Sequence, residues 1–246
     1  MADPISNPCW HVAIAAELRD PEGRTLQNHK ERLPGLDEVA QNVEAALSAE
    51  HLAAPVQVER AGSVQGLFRR STGVTLALSE LGDALHPYRW VVGVGFGLVE
   101  ARFRGTTVVL DGSALDRARA ALWTARRDRR GAVAVGFGSP DDETIASLVE
   151  LMDQTRSRWT ERQAETVRAA RRYKGKEVAA RFGVSPSVVS ESLKAASFRP
   201  LTRAENALTC LLDRYGTDGP WRGESVVYPD ILSPLSRESR LLVSKR

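Results

Sequence analysis

Between residues 159 and 199 the chain gathers nine Lys/Arg against four Glu, so this stretch nets +5 while the rest nets −2. Thr160 can N-cap a helix holding Gln163, Val167 and Ala170, and residues 176–182 read as a second short helix ending at Gly183. Ser185 then suits an N-cap and Pro186 the first position of a third helix running to about Ala196, since that position has no N–H partner to lose. Ala179 is small enough for two helices to cross closely, Gly183 can supply the turn, and Val178, Val189 and Leu193 provide a buried face. This spacing is that of a helix-turn-helix. In such a unit the start of the last helix enters the DNA major groove. Ser187, Ser190, Glu191 and Lys194 are then available to bases, while Lys174, Lys176, Arg181 and Ser185 are better placed for phosphates. The expected partner is double-stranded DNA. A three-helix bundle docking another protein is the alternative reading of the same pattern.

Other reactive residue types lack partners at useful spacing. His11, His29, His51 and His86 show no metal-ligand spacing and read as surface or capping residues. Cys9 and Cys210 stand far apart, which excludes a disulfide framework, and each reads as a buried or inert thiol. Ser63 and Ser139 follow glycine without forming a Gly-x-Ser-x-Gly elbow. The run Arg126-Arg127-Asp128-Arg129-Arg130 could touch phosphate, but a solvated helix end is the better reading of it. No metal site and no cofactor is expected. A nucleotide remains the one small-molecule ligand worth testing.

The elements that position these residues follow from periodicity. Residues 10–18 predict a buried strand, 36–51 a helix, and 56–60 a strand. A reversal at 62–66 leading into 67–69 predicts a hairpin, followed by a helix over 74–85 and the most apolar strand over 89–102. A helix over 113–127 and a strand over 132–137 complete the order β-α-β-β-α-β-α-β, and Asp111 reads as a turn residue before Gly112. Gly93, Gly95 and Gly97 share one strand face, which suits close helix packing better than a nucleotide cradle. The expectation is an α/β (α+β) fold. A ferredoxin-like or nucleotidyl-cyclase-like mixed sheet over 1–140 would be followed by a connecting helix over 141–158, an all-α helix-turn-helix domain over 159–215 and a tail over 216–246. With 246 residues, 42% hydrophobic and 26% charged, the chain has material for a core, and a fully disordered protein is excluded. It holds no apolar run of the ~20 residues that span a bilayer, and its start lacks the pattern of a signal peptide. The expected location is cytoplasmic, with no membrane partner.

The chain resembles the SatD family of bacterial proteins over roughly residues 10–215. The resemblance rests on the strand 11–18, the hairpin Gly62-Ser63-Val64-Gln65-Gly66-Leu67-Phe68 and the strand Val92-Gly93-Val94-Gly95-Phe96-Gly97. Asp111-Gly112-Ser113-Ala114, Trp159-Thr160-Glu161-Arg162-Gln163 and Val184-Ser185-Pro186-Ser187-Val188-Val189-Ser190 complete it. It implies a sheet domain followed by a DNA-binding helix-turn-helix. The family hairpin typically reads Gly-Asp-Glu-Phe-Gln-Gly, similar to the metal-carboxylate hairpin of GGDEF and related nucleotidyl cyclases. Here Gly62 and Ser63 replace the acidic pair, and Glu17 alone stands at the other acidic position. Phosphoryl transfer needs bridged metal ions, so cyclase activity is not expected. The reading is a sequence-specific transcriptional regulator, not an enzyme, whose degenerate sheet domain senses a ligand or holds a homodimer together. A nucleotide-binding or cyclase-like enzyme and a protein-interaction adaptor are the alternatives.

Overall fold

The computed structural model describes residues 9–22, 24, 36–47, 52–58, 62–69, 71–104, 107–216 and 219–220. The expected tail from residue 221 onward lies outside them, as do His29 and His51. The first half of the chain runs β1 (Cys9–Arg19), α1 (Leu36–Ala46), β2 (Leu52–Val58), β3 (Ser63–Phe68), α2 (Ser71–Ala84) and β4 (Arg89–Arg104). These pair in the order β2-β3-β1-β4, every neighbour antiparallel. That is the ferredoxin-like β-α-β-β-α-β arrangement. Then come β5 (Thr107–Asp111), α3 (Ser113–Arg127) and β6 (Ala132–Val135). The 16-residue β4 is long enough to serve both strands: its start pairs with β6 in parallel and its end with β5 in antiparallel register.

The structure differs from the sequence reading in several places: β2 begins at Leu52 where a strand over 56–60 was expected, and β6 ends at Val135 rather than at 137. Residues 63–66 lie within β3 rather than in a turn, because Ser63 to Gly66 pair residue by residue with Glu17 to Ile14 of β1. Residues 59–61, between β2 and β3, lie outside the described residues. Asp111 does precede a turn, its carboxylate accepting the Gly112 N–H at 2.9 Å. It also ends β5, a strand absent from the sequence reading.

The sheet buries both faces, and each has its own core. On one, Ile14, Leu18, Val92, Val94 and Phe96 pack with α1, α2 and the later helices. On the other, Ala13, Ala15, Val91 and Val133 meet α3 alone, through Ala114, Leu115, Ala118, Ala121, Leu122 and Ala125. An all-alanine helix stripe can settle close to a strand only if the strand also lacks side chains. Gly93, Gly95 and Gly97 meet that need: a Cβ on Gly93 would stand 2.1 Å from the Ala118 carbonyl oxygen, and one on Gly95 would stand 2.3 Å from that of Ala114. The glycine face is thus a helix seat.

The rest is helical: α4 (Asp141–Arg156), α5 (Glu161–Ala170), α6 (Gly175–Phe182), α7 (Pro186–Ala195) and α8 (Phe198–Leu212), with the two-residue strands β7 (Tyr215–Gly216) and β8 (Gly219–Pro220). In α4, Ile145, Val149 and Met152 are buried in the same core as the strands, so it is part of the sheet layer as well as a connection. In α8, Leu201, Leu208 and Leu212 join that core too. The chain's return is pinned where the Tyr215 hydroxyl donates to the Phe137 carbonyl at 2.8 Å and the Asp141 carboxylate at 2.6 Å.

Gly93→Ala should force α3 off its seat and lower stability by about 3 kcal/mol or more. Gly175→Ala, where a Cβ meets open space, should change it by less than about 0.5 kcal/mol. Urea unfolding midpoints of the two variants check this; equal midpoints would show that the glycine face is not a packing constraint.

Candidate nucleic-acid interface

The three helices α5, α6 and α7 are each started by local chemistry. Thr160 and Gln163 form a capping box, the Gln163 N–H donating to Thr160 Oγ1 at 3.3 Å and the Thr160 N–H to Gln163 Oε1 at 2.9 Å. At the head of α6 the Lys174 N–H donates to the Glu177 carboxylate. Gly183 ends α6 in the left-handed region at φ 62°, where the Val184 N–H can reach back to the Ala179 carbonyl at 3.0 Å. Ser185 then caps α7 by accepting the Val188 N–H, with Pro186 in the first turn. The unit closes over Val178, Ala179 and Val189, flanked by Phe182, Val184 and Leu193.

This packing turns one face outward. Lys174, Lys176, Arg181, Ser185, Ser187, Ser190, Glu191 and Lys194 are all exposed. Ser185 and Ser187 share a hydrogen bond between hydroxyls at 2.7 Å at the start of α7. The Arg181 guanidinium lies 3.7 Å above the Tyr173 ring, which holds an otherwise mobile cation in place. Sequence reasoning overlooked Val188, which is 53% exposed in the first turn of α7. An apolar side chain there is what a thymine methyl group would meet. The consecutive valines 188 and 189 carried the signal, since neighbouring helix positions cannot both face one core.

The charge excess is smaller at the surface than the count suggested. Arg171 is buried, and Arg168 points inward to donate to the Asp83 carbonyl at 3.0 Å. The outward set is therefore seven Lys/Arg with the same four Glu. Arg171 belongs to a buried cluster with Arg156, Asp83 and Glu205, which ties α5 to α2, α4 and α8. Arg156 donates to Asp83 at 2.7 Å and to Glu205 at 2.8 Å. Arg171 donates twice to Glu205, at 2.7 and 2.9 Å, and also pairs with Asp83. Ser79 adds a hydrogen bond to Glu205 at 2.8 Å. Burial by itself would raise the Glu205 carboxyl, but Arg171 and Arg156 outweigh it and hold it down at about 2. Gly82 makes room for this, because a Cβ there would touch the Arg156 side chain at 2.8 Å. Nearby, the Trp159 indole donates to the Ala196 carbonyl at 2.8 Å and fixes the end of α7.

On the sheet, Glu17 faces Ser63 directly across the β1–β3 ladder, so the two positions that would carry carboxylates in a cyclase-like hairpin do meet. Glu17 is buried and ion-paired with Arg126 of α3, with Arg19 at 3.3 Å. Of the other residues singled out, Asp111 is exposed and separate from that pair. His11 sits near the Cys9 carbonyl, and His86 lies 6.3 Å from the Trp159 ring. Cys9, at the start of β1, is exposed and Cys210 half-buried, and both are free thiols. Among the described residues no helix is long and apolar enough to cross a membrane.

Comparisons of the chain with protein-family models, with curated proteins and with solved structures return no match.

Glu205→Gln leaves an uncompensated buried cation and should cost about 3–5 kcal/mol at neutral pH. The pH dependence has a definite sign. Because the folded carboxyl sits near 2, below its ordinary 4.5, its stabilisation is complete above about pH 4.5 and is lost as pH falls towards 2. Urea midpoints between pH 7 and pH 2.5 should therefore fall in the native chain and fall less steeply in Glu205→Gln. Parallel profiles would rule out Glu205 as the titrating anchor.

Proposed function

We propose that this protein is a sequence-specific DNA-binding transcriptional regulator, similar in plan to the SatD family, in which α6 and α7 form the reading unit. The observation that carries the proposal is the left-handed Gly183 turn followed by the Ser185-capped α7, with eight polar or charged candidates exposed on one unit. The outward excess of cations supports attraction to a phosphate backbone. Lys174, Lys176 and Arg181 serve the phosphates, with Ser185 at the helix start. Ser187, Ser190, Glu191 and Lys194 face base edges, joined by Val188.

The α/β domain in this reading is a catalytically degenerate partner that senses a ligand or pairs two copies. The Arg126–Glu17 ion pair supports that role, because a carboxylate held by a guanidinium is not available to a metal ion. One helix-turn-helix reads only a few base pairs, so a homodimer on a two-fold site would gain both length and affinity. Sedimentation of the full chain with and without duplex should give a dimer on DNA. A monomer bound at full affinity would remove the paired-site part of the proposal.

Charge removal at Lys174, Lys176 and Arg181 should weaken binding to all duplexes alike and flatten the logarithmic salt slope by about one unit per lost contact. Glu191→Ala should instead relax preference at one base position and cost about 1–3 kcal/mol on the preferred site. Salt titrations by fluorescence anisotropy, with a selected-sequence profile, separate the two effects. An unchanged slope in the triple variant would move DNA off this face.

A further inference from the structure

At the end of the sheet where β1 finishes and β4 and β6 begin, a cavity of about 720 Å³ opens beneath the C-terminus of α3. Its volume is in the range of small-molecule sites, ~300–1,000 Å³. Six arginines line it: Arg19, Arg24, Arg89, Arg126, Arg129 and Arg130. The two carboxylates in the wall are already engaged. Asp153 takes both nitrogens of the Arg89 fork, at 3.0 and 2.7 Å, and Glu150 accepts the Ala132 N–H at 3.1 Å and Arg130 at 3.4 Å.

Arg129 stands apart from the others. Among the described residues its side chain has no hydrogen-bond or ion-pair partner. Its backbone is left-handed, with φ 56°, in the turn that ends α3, where the Arg130 N–H reaches back to the Ala125 carbonyl at 2.9 Å. Glycine suits that position and a long side chain does not. Arg129, itself exposed, lines the cavity beside five arginines that are each ion-paired: Arg19 and Arg126 with Glu17, Arg24 with Asp20 and Glu22, Arg89 with Asp153, and Arg130 with Glu143 and Glu150. A guanidinium carries five N–H donors, so paired arginines can still share an anion that Arg129 holds by two parallel N–H bonds to one phosphate group.

We propose that this cavity binds a small polyphosphate-bearing molecule, with Arg129 as its principal free contact. The site is separate from the helix-turn-helix, and the inference does not depend on the DNA reading.

Inorganic tripolyphosphate is the probe, titrated calorimetrically into the full chain, with citrate as a carboxylate of comparable charge. The expected result is saturable one-site binding of tripolyphosphate and weaker binding of citrate. Arg129→Gly relieves the backbone, so it should leave the melting temperature equal or higher while weakening tripolyphosphate about tenfold or more. A variant that lacks two cations of the DNA face, Lys174→Ala with Lys176→Ala, should keep the native affinity. The proposal is overturned if tripolyphosphate does not saturate, if citrate binds equally well, or if Arg129→Gly binds like the native chain. It is also overturned if the Lys174/Lys176 variant alone loses binding, which would put the anion on the helix-turn-helix. Duplex binding measured on the same samples keeps the two readings apart: tripolyphosphate bound without DNA sinks the regulator and leaves the cavity standing.

Discussion

Two guanidiniums and two carboxylates, enclosed where α2, α4, α5 and α8 converge, set how the helical half of this protein sits on its sheet. Arg156, Arg171, Asp83 and Glu205 balance in charge, and each is more than nine-tenths buried. Buried ions are costly to desolvate, so such a cluster does not favour the fold over an apolar one of equal volume. What it contributes is uniqueness of docking. A slide of α8 or α5 by one turn would leave an unpaired charge out of water, whereas an apolar contact would tolerate it.

The second constraint is the division of the sheet into unlike faces. One carries large side chains and receives several helices; the other carries glycine and alanine and receives α3 alone. Close seating of α3 has a chemical consequence. It brings Arg126 onto Glu17 and aligns the C-terminal arginines of α3 with those of β1 and β4. Glu17 is thereby held between guanidinium groups on the sheet face that α3 covers.

Much of the architecture was legible in the sequence because local rules act within a few residues. The helix expected over 113–127 spans those residues, and the caps at Thr160, Gly183 and Ser185 all form as their residue types require. Apolar runs along β1 and β4 reported those strands, and the three glycines announced a close helix. By contrast β5 was not read from the sequence. The hairpin was misplaced because glycine at 62 and 66 resembles a turn whether or not it pairs in a strand, and only the β1 register distinguishes the two.

Partnerships between distant residues were decided by the tertiary structure alone. Arg171 looks in sequence like any other cation of a basic segment, yet it points inward to Asp83 and Glu205, 88 and 34 residues away. Nothing local marks it, because a salt bridge depends on where α2 and α8 arrive. The same holds for the arginines of 126–130: as a string they read as a solvated helix end, and only the meeting of α3 with β1, β4 and α4 makes a cavity of them. Sequence by itself determined the elements and their caps, since those energies are short-ranged. Which charges are enclosed and which stay at the surface was left to the packing, which brings together groups the chain keeps far apart.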